Sequence, residues 1–369
     1  MTLTRRQALL VLNQLPKVGP VKIRRLLERF SEPEAVLAAS VETLRQVNGI
    51  GDSLATLIHG WEQHTDVVRE ERRMKELGVH CLTADDELYP DNLREIYDPP
   101  LVLYVWGRLE TRDRIAVGVV GSRRCTHYGS QSAKKLAYQL AGAGVTVLSG
   151  LARGIDTAAH EGALAAKGRT VAVIGSGLGQ IYPEENKPLA EKIADGNGAV
   201  VSEFPIDQHP DKQTFPMRNR IVSGWSSGIL VVEAPAWSGA LITANMAAEQ
   251  GRSVYAVPGP IDKATHVGCH KLIQNGARLI ISAQDVLEDL GNLFPKSADA
   301  DPASPALYPI ESLSAEEQVV YALVEGSETH VETILSACDL PTPIVSASLM
   351  RLELKKIIKQ LPGRHYARM

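Results

Sequence analysis

The sequence predicts an α/β protein whose parallel sheet lies between two smaller helical domains. Two observations predict it. Apolar runs of strand length alternate with helical patterns from residue 115 to residue 282, the rhythm of a parallel α/β core. Most of those runs also stop on Gly, Ser, Thr or Arg, which puts small and basic residues at the carboxyl ends of the strands, where open parallel sheets bind ligands.

Residues 1–65 come first. They contain Leu15-Pro16-Lys17-Val18-Gly19-Pro20 and Val47-Asn48-Gly49-Ile50-Gly51-Asp52, two Gly-containing turns between helical patterns. This resembles a SAM-like helix-hairpin-helix module, in which turn N–H groups hold a nucleic-acid phosphate; a helical domain with no ligand is the alternative. The opening MTLTRRQALLVLNQLP is basic, then apolar, but Asn13 and Gln14 interrupt it and no small-residue cleavage site follows. It therefore reads as a helix and not as a signal peptide. A charged helix, Val67–Leu77, and an extended stretch, Pro99–Trp106, lead into the core.

The core, residues 66–290, is centred on residues 115–160. Ile115–Val120 is a strand that stops at Gly121-Ser122-Arg123-Arg124; a long helix follows; Val145–Leu148 is a strand that stops at Ser149-Gly150; Gly154-Ile155-Asp156 opens the next helix. The pattern repeats through strands Thr170–Ile174, Ala199–Phe204, Gly228–Glu233, Ser253–Val257 and Leu279–Ser282. Helices open at Asn186, at Phe215-Pro216-Met217-Arg218-Asn219-Arg220, after Ser238-Gly239, and at Gly268-Cys269-His270. Residues 291–311, rich in Pro, Ala, Ser and Asp, read as a linker. Residues 312–369 show successive helices and the closing Leu361-Pro362-Gly363-Arg364-His365-Tyr366, which resembles a winged helix.

Composition narrows the function. The chain has 369 residues, 44% of them hydrophobic, and no apolar run approaches the ~18 residues of a membrane span. Cys81, Cys125, Cys269 and Cys338 have neither metal-binding nor redox spacing, so reduced thiols in the cytoplasm are expected. The net charge of −4 conceals segregation: residues 1–30 hold seven Lys/Arg against one acid, residues 108–153 eight against two, and residues 351–369 six against one, whereas residues 299–341 hold nine acids and no Lys or Arg. Separate basic patches on a mildly acidic chain point to a polyanion on selected faces.

Several chemistries are absent. There is no Gly-x-x-x-x-Gly-Lys-Ser/Thr loop, no Gly-x-Gly-x-x-Gly after the first core strand, no Gly-x-Ser-x-Gly elbow and no His-Glu-x-x-His, so neither cofactor nor metal is expected. Asp156 and His160, four apart on one helix face, are either a catalytic pair or a helix cap beside a packed histidine. Glu233, at a strand end, is the candidate general base of a hydrolase. The arginines suit phosphate, because guanidinium donates in a planar fork; Arg218 and Arg220 cannot point the same way from a regular helix, so one of them serves the fold. Tyr128, Tyr182, Phe204, Phe215 and Trp237 fall in the edge loops, as core or as stacking surface for bases.

In order along the chain stand Gly121-Ser122-Arg123, Ser149 to Asp156, Tyr182-Pro183, Phe215 to Arg220, Ser238 to Thr243 and Pro258-Gly259. This series resembles the DNA-processing protein A family, also called DprA or Smf, over the whole chain and most specifically over residues 99–290. The resemblance implies an extended Rossmann core and a homodimer that binds incoming single-stranded DNA in the cytoplasm during natural transformation, protects it and loads RecA recombinase on it, without enzymatic activity. The binding arginine of the family falls at Arg123. Some relatives carry a lysine directly after Tyr-Pro; Glu184 stands there in this chain and Lys187 is the nearest base. The candidate single-strand-binding set is Gly121, Ser122, Arg123, Ser149, Gly150, Arg153, Gly154, Lys187, Phe215, Arg218, Asn219, Arg220, Ser238 and Thr243. The family's dimer surface carries over to His270, Ile273 and Leu279. Two competing readings are a Rossmann-type nucleotide or phosphoribosyl hydrolase using Glu233, and a scaffold that holds other proteins.

Overall fold

Strong start signals build the N-terminal helices: α1 (Arg5–Gln14), α2 (Pro20–Phe30), α3 (Pro33–Ala38), α4 (Val41–Arg45), α5 (Asp52–His59) and α6 (Val67–Glu76). Thr4 accepts from Gln7 N while the Gln7 side chain accepts from Thr4 N, a reciprocal cap on α1. Pro20 and Pro33 open α2 and α3, at a position where a backbone N–H is not needed. In the computed structural model, which describes residues 3–293, 313–324, 329–338, 340–354, 357–361 and 365–368, this module does not stand apart from the sheet. Leu9, Leu12, Ile23, Leu26 and Ile58 belong to one buried cluster with Val102, Tyr104, Ala172 and Ile174. The side chain of Asn13 donates to Glu203 O (2.8 Å), Ile206 N donates to Glu70 (2.9 Å), and Arg73 pairs with Asp207 (3.1 Å). Residues 1–65 and 66–290, expected as two domains, thus lie in one compact unit, 1–293; residues 294–369 form the other.

The sheet has nine strands: β1 (Val79–Thr83), β2 (Val102–Gly107), β3 (Ala116–Val120), β4 (Thr146–Ser149), β5 (Thr170–Val173), β6 (Gly198–Ser202), β7 (Gly228–Val231), β8 (Ser253–Ala256) and β9 (Arg278–Leu279). Their order is β1-β2-β6-β5-β4-β3-β7-β8-β9. From β6 to β9 every pairing is parallel, while β2 runs antiparallel to both β1 and β6. β4, β5 and β6 lie on one side of β3 and β7, β8 and β9 on the other, so the chain reverses its direction of travel across the sheet between β3 and β7. The intervening helices are α7 (Asp91–Arg94), α8 (His127–Gly142), α9 (Ile155–Ala165), α10 (Lys187–Lys192), α11 (Thr214–Trp225), α12 (Gly239–Glu249), α13 (Val267–Gln274) and α14 (Ala283–Leu293). Val117 and Val119 of β3 pack with α8, α9 and α14; Ala116 and Val120 pack with α11 and α12. Both faces are covered, which is why β3 is an unbroken apolar run, buried throughout.

Three elements differ from expectation. β1 was not anticipated. The last strand is Arg278–Leu279 instead of Leu279–Ser282, because Ser282 and the amide of Ile281 bind Asp285 at the start of α14. α14 itself takes residues 291–293 from the expected linker, the rest of which lies outside the described residues.

In the C-terminal unit, α15 (Ala315–Leu323), α16 (Val331–Ala337) and α17 (Thr342–Leu354) accompany an antiparallel sheet of β10 (Thr329–His330), β11 (Ile358–Leu361) and β12 (His365–Arg368), ordered β10-β12-β11. Val320, Ile334, Val345, Leu349 and Ile358 fill its core. This is a winged helix. Of the basic residues expected at its end, Lys355 and Lys356 lie outside the described residues, and Arg368 is engaged internally, over the Tyr321 ring at 4.5 Å.

At the amino ends of the parallel strands Arg169 meets Asp113 through two 2.7 Å bonds, both side chains being buried. Thr146 donates to the same carboxylate (2.8 Å) and Trp225 Nε1 to the Asp113 carbonyl (2.8 Å). Removing one partner leaves a buried charge unpaired. Arg169→Ala is expected to cost about 3–5 kcal/mol in urea unfolding; a loss under about 1 kcal/mol would contradict this account of the strand amino ends.

Candidate nucleic-acid interface

Loops leaving β3 and β7 diverge at the reversal point, and the crevice between them is where an open α/β sheet takes ligands. The loop after β3 is fixed from below by Glu233. Its carboxylate accepts from Thr126 N (2.9 Å) and Thr126 Oγ1 (2.6 Å), and its backbone carbonyl accepts from Ser122 N (2.7 Å). Thr126 in turn caps α8 by accepting from Gly129 N. The loop after β4 is fixed by Asp156, whose Oδ2 accepts from Gly150 N (3.1 Å) and Ala152 N (3.3 Å). Gly154 has φ +77° and packs so closely on Ser122 O that a Cβ would collide with it; glycine alone joins these two loops.

Arg218, on the first turns of α11, is buried at the base of the crevice. Nη1 donates to Gly150 O (2.6 Å) and to Val173 O, and Nε donates to Asn219 Oδ1 (3.2 Å). Burial pushes its pKa down to about 10, while the nearby Asp156 opposes that shift, so it remains a cation at neutral pH. Burial likewise raises the Asp156 carboxyl, opposed by Arg218 and the two amides. The exposed Arg123 lies over the Phe215 ring at 5.1 Å, and the rings of Phe215 and Tyr182 are 5.8 Å apart.

Together these residues line an open groove of about 760 Å³, with Arg123, Arg124, Lys212 and Arg218 as its cations. A small pocket at one end is walled by Arg123, Arg153, Tyr182, Phe215 and Arg218. The groove unites Gly121, Ser122, Arg123, Gly150, Phe215, Arg218, Asn219, Ser238 and Thr243. Arg153 borders the small pocket, its guanidinium held on Glu185 at 2.5 and 2.6 Å. Gly154 faces a separate cleft with Ser130 and Glu161.

Other candidates fall elsewhere. Ser149 is buried and donates to Val119 O (2.6 Å). Arg220 turns away from the groove and pairs with Asp98 (2.8 Å) and Glu203 (2.5 Å), so it is the arginine of this pair that serves the fold. Lys187 lines a different cleft, beside Trp106, Glu184 and Glu191. Asp156 and His160 are structural: the first holds the loop, the second is buried with Nδ1 against Thr170 Oγ1 (2.7 Å). Of the dimer candidates, Leu279 is 48% exposed on the open edge strand β9, Ile273 packs partly against the core, and His270 Nε2 contacts Gly259 O (3.0 Å). Sequence reasoning missed Lys212, which enters the groove from the segment just before α11, and Thr265; the only signal for Lys212 was a base one turn upstream of Phe215.

These features define a Rossmann-like α/β protein with a basic groove at the reversal point of its sheet. The family model of DNA recombination-mediator protein A matches residues 80–291, a DprA winged-helix model residues 300–364 and a SAM-like helix-hairpin-helix tandem residues 9–59. The chain belongs to the DNA recombination-mediator protein A (DprA/Smf) family. It is 36% identical to Protein Smf of Synechocystis sp., over 96% of this chain and 97% of that one. The crystal structure of DNA processing protein A from Streptococcus pneumoniae is similar at TM-score 0.69 and 35% identity, covering 78% of this chain and 99% of that one. DNA processing protein A of Helicobacter pylori, described for its single-stranded DNA binding mode, is similar at TM-score 0.52 and 29% identity, covering 58% and 97%.

With Glu233 fully buried, its loss leaves Thr126 N without an acceptor, which costs about 1–3 kcal/mol. Glu233→Ala is expected to lose that much stability and Glu233→Gln, which still accepts from Thr126 N, to recover most of it in the same unfolding assay.

Proposed function

We propose that this chain binds single-stranded DNA along the groove, shields it and loads RecA recombinase on it during natural transformation, in the cytoplasm and as a homodimer. One observation carries the reading: Arg218 is a buried cation that, among the described residues, is held by carbonyls and an amide oxygen instead of an ion pair, with Arg123 beside it. Such a site favours an anion at its mouth. The groove runs from Ser238, after β7, to Tyr182, after β5, three strand spacings in the sheet or about 14 Å, which favours a chain of phosphates over a single one. Its donors are guanidinium groups and loop amides, which contact phosphate without reading sequence. The single-strand binding described for the Helicobacter pylori relative supports the same ligand here. Residues 1–65 and 312–369 serve as accessory modules, and His270, Ile273 and Leu279 belong to the dimer surface, beside the strand β9, which pairs with β8 alone among the described residues.

The protein acts without catalysing a reaction. Glu233, the base a hydrolase would need, has both oxygens engaged by Thr126. Asp156 and His160 are engaged in the same internal way. A mononucleotide is therefore expected to bind far more weakly than a long oligonucleotide.

Arg123→Ala is expected to weaken single-strand binding by about 1–3 kcal/mol at every sequence tested and to reduce the salt slope by about 1. Parental affinity in a folded Arg123→Ala protein would remove the groove from the reading. Because residues 1–293 form a compact unit of their own, a chain ending at residue 293 is expected to keep its single-strand affinity within about tenfold, or about 1.4 kcal/mol. A hundredfold loss at moderate salt would make the winged helix a main DNA site.

A further inference from the structure

Of the four tryptophans, Trp225 is 1% exposed, and Trp61 and Trp106 pack against the hydrophobic core. Trp237 is 96% exposed. It is not on a loose segment. Ser238 N donates to Pro235 O (3.2 Å), closing a tight turn with Ala236 and Trp237 at its corners. Ser238 also caps α12 by accepting from Ala240 N, and Gly268 N donates to Ala234 O (2.8 Å), so the turn is fastened at both ends. Pro235 and Ser238, on either side of the corner, line the basic groove, as does the 44% exposed Ile242.

A large flat ring carried into water on a fastened turn gains no burial, which fits a surface awaiting a partner. The charge beside it selects that partner. The groove that this turn borders carries Arg123, Arg124, Lys212 and Arg218, so the occupant is a polyanion with flat apolar faces, and single-stranded nucleic acid has both. Position adds a second constraint. The Trp237 turn follows β7 and the loop leading to Tyr182 follows β5; three strand spacings separate them in the sheet, about 14 Å. One nucleotide does not span that distance, whereas a strand of several does.

We propose that Trp237 is a base-stacking platform for single-stranded DNA, at the β7 end of the groove and remote from the Tyr182–Phe215 pair. The subsite rests on the single-strand reading above. It supplies stacking without charge, so it acts on bases and not on phosphates.

The test uses the full chain, its Trp237→Ala and Trp237→Phe variants, a thymidine oligonucleotide long enough to span the groove, and the same backbone carrying abasic sites. An exposed side chain contributes little to the core, so both variants are expected to fold. Trp237→Ala is expected to bind the thymidine strand about tenfold more weakly than the parent with an unchanged salt slope, Trp237→Phe to recover most of the loss, and all three proteins to bind the abasic strand alike. The thymidine strand is expected to quench the part of the tryptophan emission that Trp237→Ala lacks. Equal affinity of parent and Trp237→Ala for the thymidine strand, or an equal loss on the abasic strand, overturns the subsite while leaving the groove intact. Emission that responds to protein concentration and not to DNA also overturns it, by assigning the ring to a second copy of this chain. A parent that binds no single strand overturns the functional reading itself.

Discussion

The groove depends on a guanidinium that, among the described residues, is buried without an ion pair. Placing Arg218 beneath the strand ends removes it from water, and only carbonyls and one amide oxygen replace that water. The bonds to Gly150 O and Val173 O tie the start of α11 to the ends of β4 and β5 together. Gly150 has to be glycine, because a Cβ there would strike the guanidinium. Phe215, three residues earlier and so on the same helix face, is thereby set close to Gly175 and under Arg123. A single residue thus both assembles the floor of the groove and charges it.

The topology explains why this charge faces solvent at one edge only. The chain leaves β3 in one direction and β7 in the other, so no crossover covers the crevice between them. A carboxylate at the end of β7 would neutralise such a site if it pointed outward. Glu233 points inward instead, into the backbone of the opposite loop, where its charge is used to hold Thr126 and the start of α8. The amino ends of the strands are built on the opposite principle: there Asp113 and Arg169 cancel each other and are closed over by Thr146 and Trp225.

The apolar runs and the small residues that end them made the core strands and most of the groove loops legible in the sequence. What stayed hidden is mostly direction. Arg218 and Arg220 are two residues apart on one helix, nearly opposite in azimuth; sequence alone showed that they diverge but not that the acids Asp98 and Glu203 wait on the Arg220 side. Ser149 stands at a strand end like Ser122, yet its hydroxyl is consumed by the neighbouring strand. Lys187 follows the Tyr-Pro loop closely in sequence, but the groove and the cleft that Lys187 lines are different. β1 pairs antiparallel at the sheet margin, outside the rhythm of parallel strand and helix that betrays the others. The N-terminal module looks separable because its turns resemble a self-contained motif; its fusion to the sheet depends on apolar side chains whose sheet partners, from Val102 to Ile174, lie over 40 residues away in the chain.

Burial sorts the arginines by role. Arg169 and Arg220 are buried against buried carboxylates; breaking such a pair leaves a charge stranded, so they are committed to the fold. Arg153 and Glu185 form a well-aligned pair that is more than half exposed on both sides, and such pairs contribute only about 0–1 kcal/mol. Exchanging Glu185 for a phosphate oxygen therefore leaves stability almost unchanged, and Arg153 is free to serve either partner. Arg123 has an aromatic ring under it, and the hydrogen bonds of Arg218 go to uncharged oxygens, with Asp156 nearby but held by the Gly150 and Ala152 amides, so among the described residues neither arginine is in a salt bridge. In the proposed reading, phosphate is attracted by the arginines that the fold does not pair with carboxylates, and a count of basic residues in the sequence mixes them with those it does.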